Sequence, residues 1–143
     1  MKTGIKKIAA TVALALIIVS GATAQPVAAE RKGVKPELIM KNFENSLQWS
    51  EYPGIVEGTV YNIVIYKNRF PGLDYSDLAE SLQRVAEDSK DLAISYKAQL
   101  AYIYLTNSSK IGLTLEQTSP SHEYVFKQIS EQLEQKLLAS HAI

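Results

Sequence analysis

The chain has 143 residues, of which 46% are hydrophobic and 21% are charged, and its 15 basic residues balance its 15 acidic residues. It contains no cysteine, which excludes disulfide bonds, a thiol nucleophile and thiolate metal ligands. A chain of this length can form one domain with a modest hydrophobic core, which must be stable through packing alone.

The first 24 residues have the three-part layout of a secretory signal peptide. Lysines open this segment, an uncharged apolar run covers residues 8–19, and small residues at Ala22-Thr23-Ala24 fit a peptidase site. The apolar run is too short to cross a bilayer, which needs ~20 residues. We therefore expect an exported protein, periplasmic or extracellular, with no membrane anchor after cleavage.

The mature chain would begin at Gln25 and be mildly acidic. The signal segment holds three lysines and no acidic residue, so 12 basic residues remain against 15 acidic ones, a net charge of −3. This balance argues against a nucleic-acid partner and against charge-driven binding to an anionic membrane. Residues 25–35 have no apolar period and are predicted to be a disordered tether, followed by a single helical domain over 36–140.

Apolar side chains recur at helical spacing in five segments of the mature chain. The pattern predicts an all-α fold with helices over about 37–50, 55–70, 74–88, 91–106 and 121–139, the last of them amphipathic. Asp74 and Asp91 have side chains typical of helix N-caps. Residues 106–121 are predicted to be a polar loop, with a short extended piece at Ile111, Leu113 and Leu115 that could lie on the body of the domain.

The segment Ile55 to Phe70 carries conflicting signals. It is rich in β-branched and tyrosine residues, which favour strands, but it does not alternate as a half-buried strand would. Val56, Val60 and Ile63 instead keep a helical row, and about 16 residues is long for one strand. We predict a buried helix here.

A shift of 38 residues places the first predicted helix pair on the second. Val56 then falls on Ile94, Val60 on Ala98 and Ile63 on Ala101, and the later helix has the pattern Asp91-x-x-Ile94-Ser95-x-x-Ala98-x-x-Ala101. This pattern resembles the second helix of a HEAT-like repeat, and the resemblance covers residues 37–106 with two repeats. The arginine usual in that family is Glu57 or Ser95 here. The resemblance implies two stacked helix pairs, with the last helix as a possible cap.

The sequence holds no recognisable catalytic or metal-binding pattern. His122 and His141 lie 19 positions apart without a metal-spaced partner, and no Gly-x-Ser-x-Gly elbow or phosphate-binding loop is present. The carboxylates of Glu87, Asp88 and Asp91 bracket a predicted turn, where a cap and solvated surface side chains are the simplest interpretation. We expect no enzyme activity, no metal and no cofactor.

The helical wheel gives a hypothesis for the functional surface. If Val56, Val60 and Ile63 face the core, a row of Tyr61, Ile65, Tyr96 and Ile103 lies opposite. Such a row must be covered by the fifth helix, by the 111–115 segment or by a partner. We predict that a partner binds to this row. The chain is then an exported, non-catalytic protein-interaction module that presents a helical-repeat groove to an unknown protein. The alternatives are a periplasmic carrier of a small apolar ligand and an enzyme with an unrecognised site.

Overall fold

A computed structural model describes residues 33–116 and 121–142 of the chain. The described residues form five α-helices and no strand, as the sequence predicts. The predicted signal peptide and the tether residues 25–32 lie outside this described part. The helices are α1 (Pro36–Trp49), α2 (Pro53–Arg69), α3 (Ser76–Asp88), α4 (Leu92–Ile111) and α5 (His122–His141).

The first four helices form two hairpins that lie side by side. α1 packs on α2 and α3 on α4, and the hairpins meet through α1 against α3 and α2 against α4. Lys97 near the start of α4 pairs with Glu57 near the start of α2. Further along both helices, the Tyr104 hydroxyl donates to Asn68 Oδ1 at 3.2 Å. α2 and α4 therefore run in the same direction, and the α1–α2 and α3–α4 turns lie at the same end of the helical domain.

The strand-favouring segment is helical, so the prediction for Ile55 to Phe70 is confirmed. Val60, Ile63 and Val64 are fully buried in α2, at the i, i+3, i+4 spacing that puts side chains on one helical face. Each such burial contributes about 1.5–3 kcal/mol, which exceeds the few tenths of a kcal/mol by which β-branched residues disfavour a helix. On α4, Ala98 and Ala101 are fully buried too, and their small side chains allow α2 to approach closely.

One hydrophobic core joins all five helices. Leu78 and Leu82 enter it from α3, Val125 and Ile129 from α5, and all four are essentially inaccessible to solvent. Leu113 and Leu115, which follow α4 without regular structure, are also buried. The prediction that this segment lies on the body of the domain holds for Leu113 and Leu115, but Ile111, predicted to be extended with them, is the last residue of α4.

Of the two predicted N-caps, Asp91 is confirmed and Asp74 is not. Asp91 caps α4, because its Oδ1 accepts hydrogen bonds from the backbone amides of Ala93 and Ile94 at 2.9 and 3.2 Å. Asp74 does not cap α3, whose N-cap position is Tyr75. The Asp74 carboxylate instead accepts from the amide and hydroxyl of Ser76, a local turn that lowers the pKa of Asp74.

The fourth helix is longer than predicted, since it ends at Ile111 rather than near Thr106. Thr106 lies inside the helix, where its hydroxyl donates to the Tyr102 carbonyl 2.8 Å away, so its side chain is satisfied without ending the helix. The stop comes from Gly112, whose φ of 65° is left-handed and typical of a helix C-terminus. The loop before α5 is correspondingly shorter than predicted.

Candidate functional site

The predicted partner row lies beside α5. Tyr61, Ile65 and Ile103 are partly buried and pack against the core, whereas Tyr96 keeps 55% of its surface exposed. α5 packs on both α2 and α4, the helices that carry the row. Of the three covers that the sequence leaves open, the fifth helix thus contacts this face.

Two specific contacts hold α5 against the predicted row. The Tyr61 ring stacks on the His122 imidazole with 3.9 Å between ring centroids and 24° between planes. The hydroxyl of Tyr96 shares a 2.8 Å hydrogen bond with the Ser130 hydroxyl. Both tyrosines named by the helical wheel therefore contact α5, and Tyr96 alone of the four presents most of its surface to solvent.

A charge network ties α5 to the two central helices. The Lys97 ammonium pairs with Glu57 of α2 and, at 3.5 Å, with Glu123 of α5, and it lies 5.9 Å from the centre of the Phe126 ring. The hydrogen bond to Glu57 raises the pKa of Lys97, although partial burial acts in the opposite direction. This lysine is fully charged at neutral pH, which suits a structural ion pair rather than a proton-transfer group.

A shallow cleft of about 270 Å³ opens between α4 and α5 beside Tyr96. Its lining includes Lys97, Glu123 and Phe126 of the charge network. The exposed residues Lys127 and Glu131 also line it, with Lys127 Nζ 3.7 Å from Glu131 Oε1. The cleft is thus lined by charges that already pair with one another. It offers Tyr96 as an aromatic contact and little unpaired charge to orient a ligand.

A different surface carries the larger exposed apolar side chains. Trp49 is 73% exposed, Tyr52 71% and Leu92 84%, and Ile55 is also exposed. We call these four residues the turn surface, because they belong to or adjoin the α1–α2 and α3–α4 turns at one end of the helical domain. Scattered single apolar residues are normal on a protein surface, but a group at one end is typical of an interaction site.

The two turns that carry this surface have the same backbone arrangement. Ser50 Oγ accepts from the amide of Tyr52 and donates to its carbonyl, at 3.2 and 3.4 Å. Ser89 Oγ makes the same pair of bonds with Asp91, at 3.3 and 3.2 Å. In each hairpin a serine hydroxyl thus bonds to the backbone at the entry of the second helix.

Sequence reasoning does not single out Trp49 or Tyr52 and misses the turn surface. The sequence does hold a signal, because Ile55 lies in the first turn of α2 and Leu92 directly follows the Asp91 cap of α4. Side chains there project past the end of a helix pair unless a neighbouring element covers them. Whether such cover exists depends on tertiary packing, which one sequence does not reveal.

The histidines and carboxylates of the described residues do not assemble a metal site. Within residues 33–116 and 121–142, no group of three or more His, Asp or Glu side chains is placed to hold an ion. None of the helices in this part is both long and apolar enough to cross a bilayer. Comparison with family models, with curated proteins and with solved structures finds no match for the chain.

Proposed function

We propose that this chain is an exported, non-catalytic protein-interaction module that binds a partner protein through the turn surface. The observation that carries the proposal is the exposure of Trp49, Tyr52 and Leu92 at one end of the helix pairs. Tryptophan and tyrosine are enriched among the residues that dominate binding energy at interfaces. The serine hydrogen bonds restrain the backbone of the two turns that carry these side chains, which lowers the backbone entropy lost on binding.

The arrangement of the helices supports a repeat-like origin for this surface. Two hairpins lie side by side in the same direction, their turns share one hydrogen-bonding arrangement, and Val60 and Ile63 match Ala98 and Ala101 in complete burial. We propose that they are two HEAT-like helix pairs, with α5 as the cap on α2 and α4. In stacked repeats the inter-helix turns recur along one edge and can form an extended binding surface.

The proposed export rests on the first 24 residues of the sequence. N-terminal sequencing of the protein recovered from the periplasm or the medium should give a start at or near Gln25. A start at Met1 would contradict export. That result would leave the proposed interaction surface unaffected, because its four residues, Trp49, Tyr52, Ile55 and Leu92, lie outside the signal segment.

The binding proposal is tested with matched variants of the mature chain. Proteins from the exported fraction of the source cells are captured on the immobilised chain, and the best-enriched partner is purified for affinity measurements. The double variant Trp49→Ala with Tyr52→Ala should bind that partner roughly tenfold or more weakly, because each lost anchor typically costs more than ~1 kcal/mol.

Two further variants separate the turn surface from other exposed apolar residues. Leu137→Ala with Leu138→Ala removes exposed leucines from α5 and should leave the affinity unchanged. Tyr96→Ala tests the row predicted from the sequence, because Tyr96 is the member of that row that keeps most of its surface exposed. Equal affinity of the Trp49/Tyr52 variant and the wild type contradicts the proposal, and a loss confined to Tyr96→Ala places binding at the α4–α5 cleft instead.

A further inference from the structure

Carboxylates edge the turn surface. Glu51 lies between Trp49 and Tyr52 in the first turn, Glu87 and Asp88 end α3, and all three side chains are exposed. Lys90 and Arg84 are the basic residues of the same stretches, and Arg84 lies 3.5 Å from Glu80 on its own helix. With Asp91, the stretches 47–55 and 84–92 hold four acidic and two basic residues, so the turns carry a net charge of −2.

A cleft of about 230 Å³ continues the surface between the ends of α1 and α3. It is lined by Leu47 and Gln48, which directly precede Trp49, and by Ser81, Arg84, Val85 and Asp88. Leu47 is buried and Val85 partly buried, so they offer an apolar floor beside the Asp88 carboxylate. Arg84, the other charged residue of the lining, pairs with Glu80 at 3.5 Å. A lysine or arginine side chain of a partner can therefore pack its aliphatic stem on the apolar floor while its charged end reaches Asp88.

The same charges disfavour two other occupants. In a symmetric dimer through this surface, two surfaces of the same net negative charge would face each other, and like charges at an interface are costly. An anionic lipid surface would be repelled for the same reason. The apolar centre, however, favours a partner that brings leucine-like or aromatic side chains.

We propose that the turn surface binds a basic, amphipathic peptide segment of the partner. Its apolar side chains would lie on Trp49, Tyr52 and Leu92, and its lysine or arginine side chains beside Glu87 and Asp88. This inference rests on the proposed function and specifies the chemistry of its partner.

The test uses Trp49, which is the sole tryptophan of the chain, as a fluorescent reporter. The mature protein is titrated with a designed amphipathic peptide of leucine and lysine, and separately with a peptide in which glutamate replaces every lysine. Tryptophan emission should shift to the blue with the lysine peptide, because the indole leaves water. Affinity for the glutamate peptide should be roughly tenfold or more weaker.

Charge-reversal variants locate the effect. Glu87→Lys with Asp88→Lys should weaken binding of the lysine peptide about tenfold, and these changes suit the C-terminal turn of α3 because lysine is favourable there. Glu131→Lys with Glu134→Lys, at exposed positions on α5, makes the same change in net charge; it is the matched control and should leave the affinity within about twofold. If both variants weaken binding equally, the attraction is to the protein's overall charge and the inference is overturned.

The remaining outcomes separate this inference from the proposed function. Equal affinity for the two peptides overturns the basic partner but leaves an apolar docking surface. Unchanged binding of the lysine peptide to Leu92→Ala with Tyr52→Ala contradicts the surface, and with it the proposed function. A blue shift on adding vesicles of phosphatidylglycerol and phosphatidylcholine assigns the surface to membranes, and a blue shift with protein concentration alone assigns it to a second copy.

Discussion

The Tyr61 ring lies nearly parallel to the His122 imidazole, with 3.9 Å between their centroids. The pair joins the middle of α2 to the first residue of α5 and anchors the beginning of the last helix. It gives one of the two histidines a packing role, although neither histidine belongs to a recognisable chemical site.

Replacing His122 by alanine should therefore lower stability by about 0.5–1.5 kcal/mol, the range for a specific aromatic pair. His141→Ala, at the exposed end of α5, should change it by less than ~0.5 kcal/mol. The double variant should bind partners as the wild type does, because neither histidine belongs to the turn surface. Chemical denaturation followed by circular dichroism measures the first two effects; a double variant that folds but loses binding would count against a non-catalytic interaction module.

Leu82 tests the core. It is inaccessible to solvent in the middle of α3, so Leu82→Ala loses transfer free energy and leaves a cavity, with an expected cost of about 2–5 kcal/mol. Leu92→Ala is the matched control, since Leu92 is 84% exposed and its truncation should cost less than ~0.5 kcal/mol. Thermal melting of the two variants should separate them clearly. Similar melting temperatures would contradict the burial of this face of α3.

The sequence predicts the helices well because their apolar rows are also the rows that become buried. Val60 and Ile63 on α2, and Leu78 and Leu82 on α3, occupy the core as their spacing implies. The end of α4 is missed because polar residues such as Thr106 and Ser108 are compatible with either a loop or an exposed helix. The better signal for that end was Gly112.

The candidate surface is harder to predict than the helices, for a physical reason. Whether Tyr61 or Trp49 is exposed depends on which neighbouring helix lies over it, and this is decided by packing between elements distant in sequence. Tyr61 contacts α5, from which it is separated by 60 residues, whereas Trp49 remains 73% exposed beside a short turn. A helical wheel shows which face of a helix a side chain lies on, but it does not show whether another helix buries that face.

Two glycines should respond to alanine in opposite directions. Gly112 has a φ of 65°, which an alanine adopts at a cost of about 1–2 kcal/mol. Gly58 lies inside α2 with no atom within 4 Å of an added Cβ, so Gly58→Ala should stabilise the protein by about 0.5–1 kcal/mol. Urea denaturation of both variants measures whether the free energy of unfolding falls or rises in each. A stabilised Gly112→Ala variant would contradict the left-handed end of α4.

Tyr75 should make stability depend on alkaline pH. Burial, with smaller effects of Tyr66 and Tyr104, raises the pKa of Tyr75 from 10.0 to about 12. Its hydroxyl donates to the Phe70 carbonyl at 2.8 Å and to the Tyr66 carbonyl at 3.3 Å. Only the neutral phenol can donate in this way, so the folded state disfavours ionisation.

The direction of the pH dependence follows from comparing the pKa of Tyr75 in the folded and unfolded chain. Since the folded pKa is the higher one, the stabilisation from Tyr75 is complete below pH 10 and is lost as the pH rises towards 12. Tyr75→Phe keeps the ring but removes the hydroxyl, so it should cost about 0.5–1.5 kcal/mol at neutral pH and flatten the alkaline loss of stability. Tyr52→Phe, at a residue 71% exposed, is the control and should leave both quantities near those of the wild type. Urea midpoints measured between pH 8 and 12 decide the matter, and an equally steep loss in Tyr75→Phe and wild type would mean that another group is responsible.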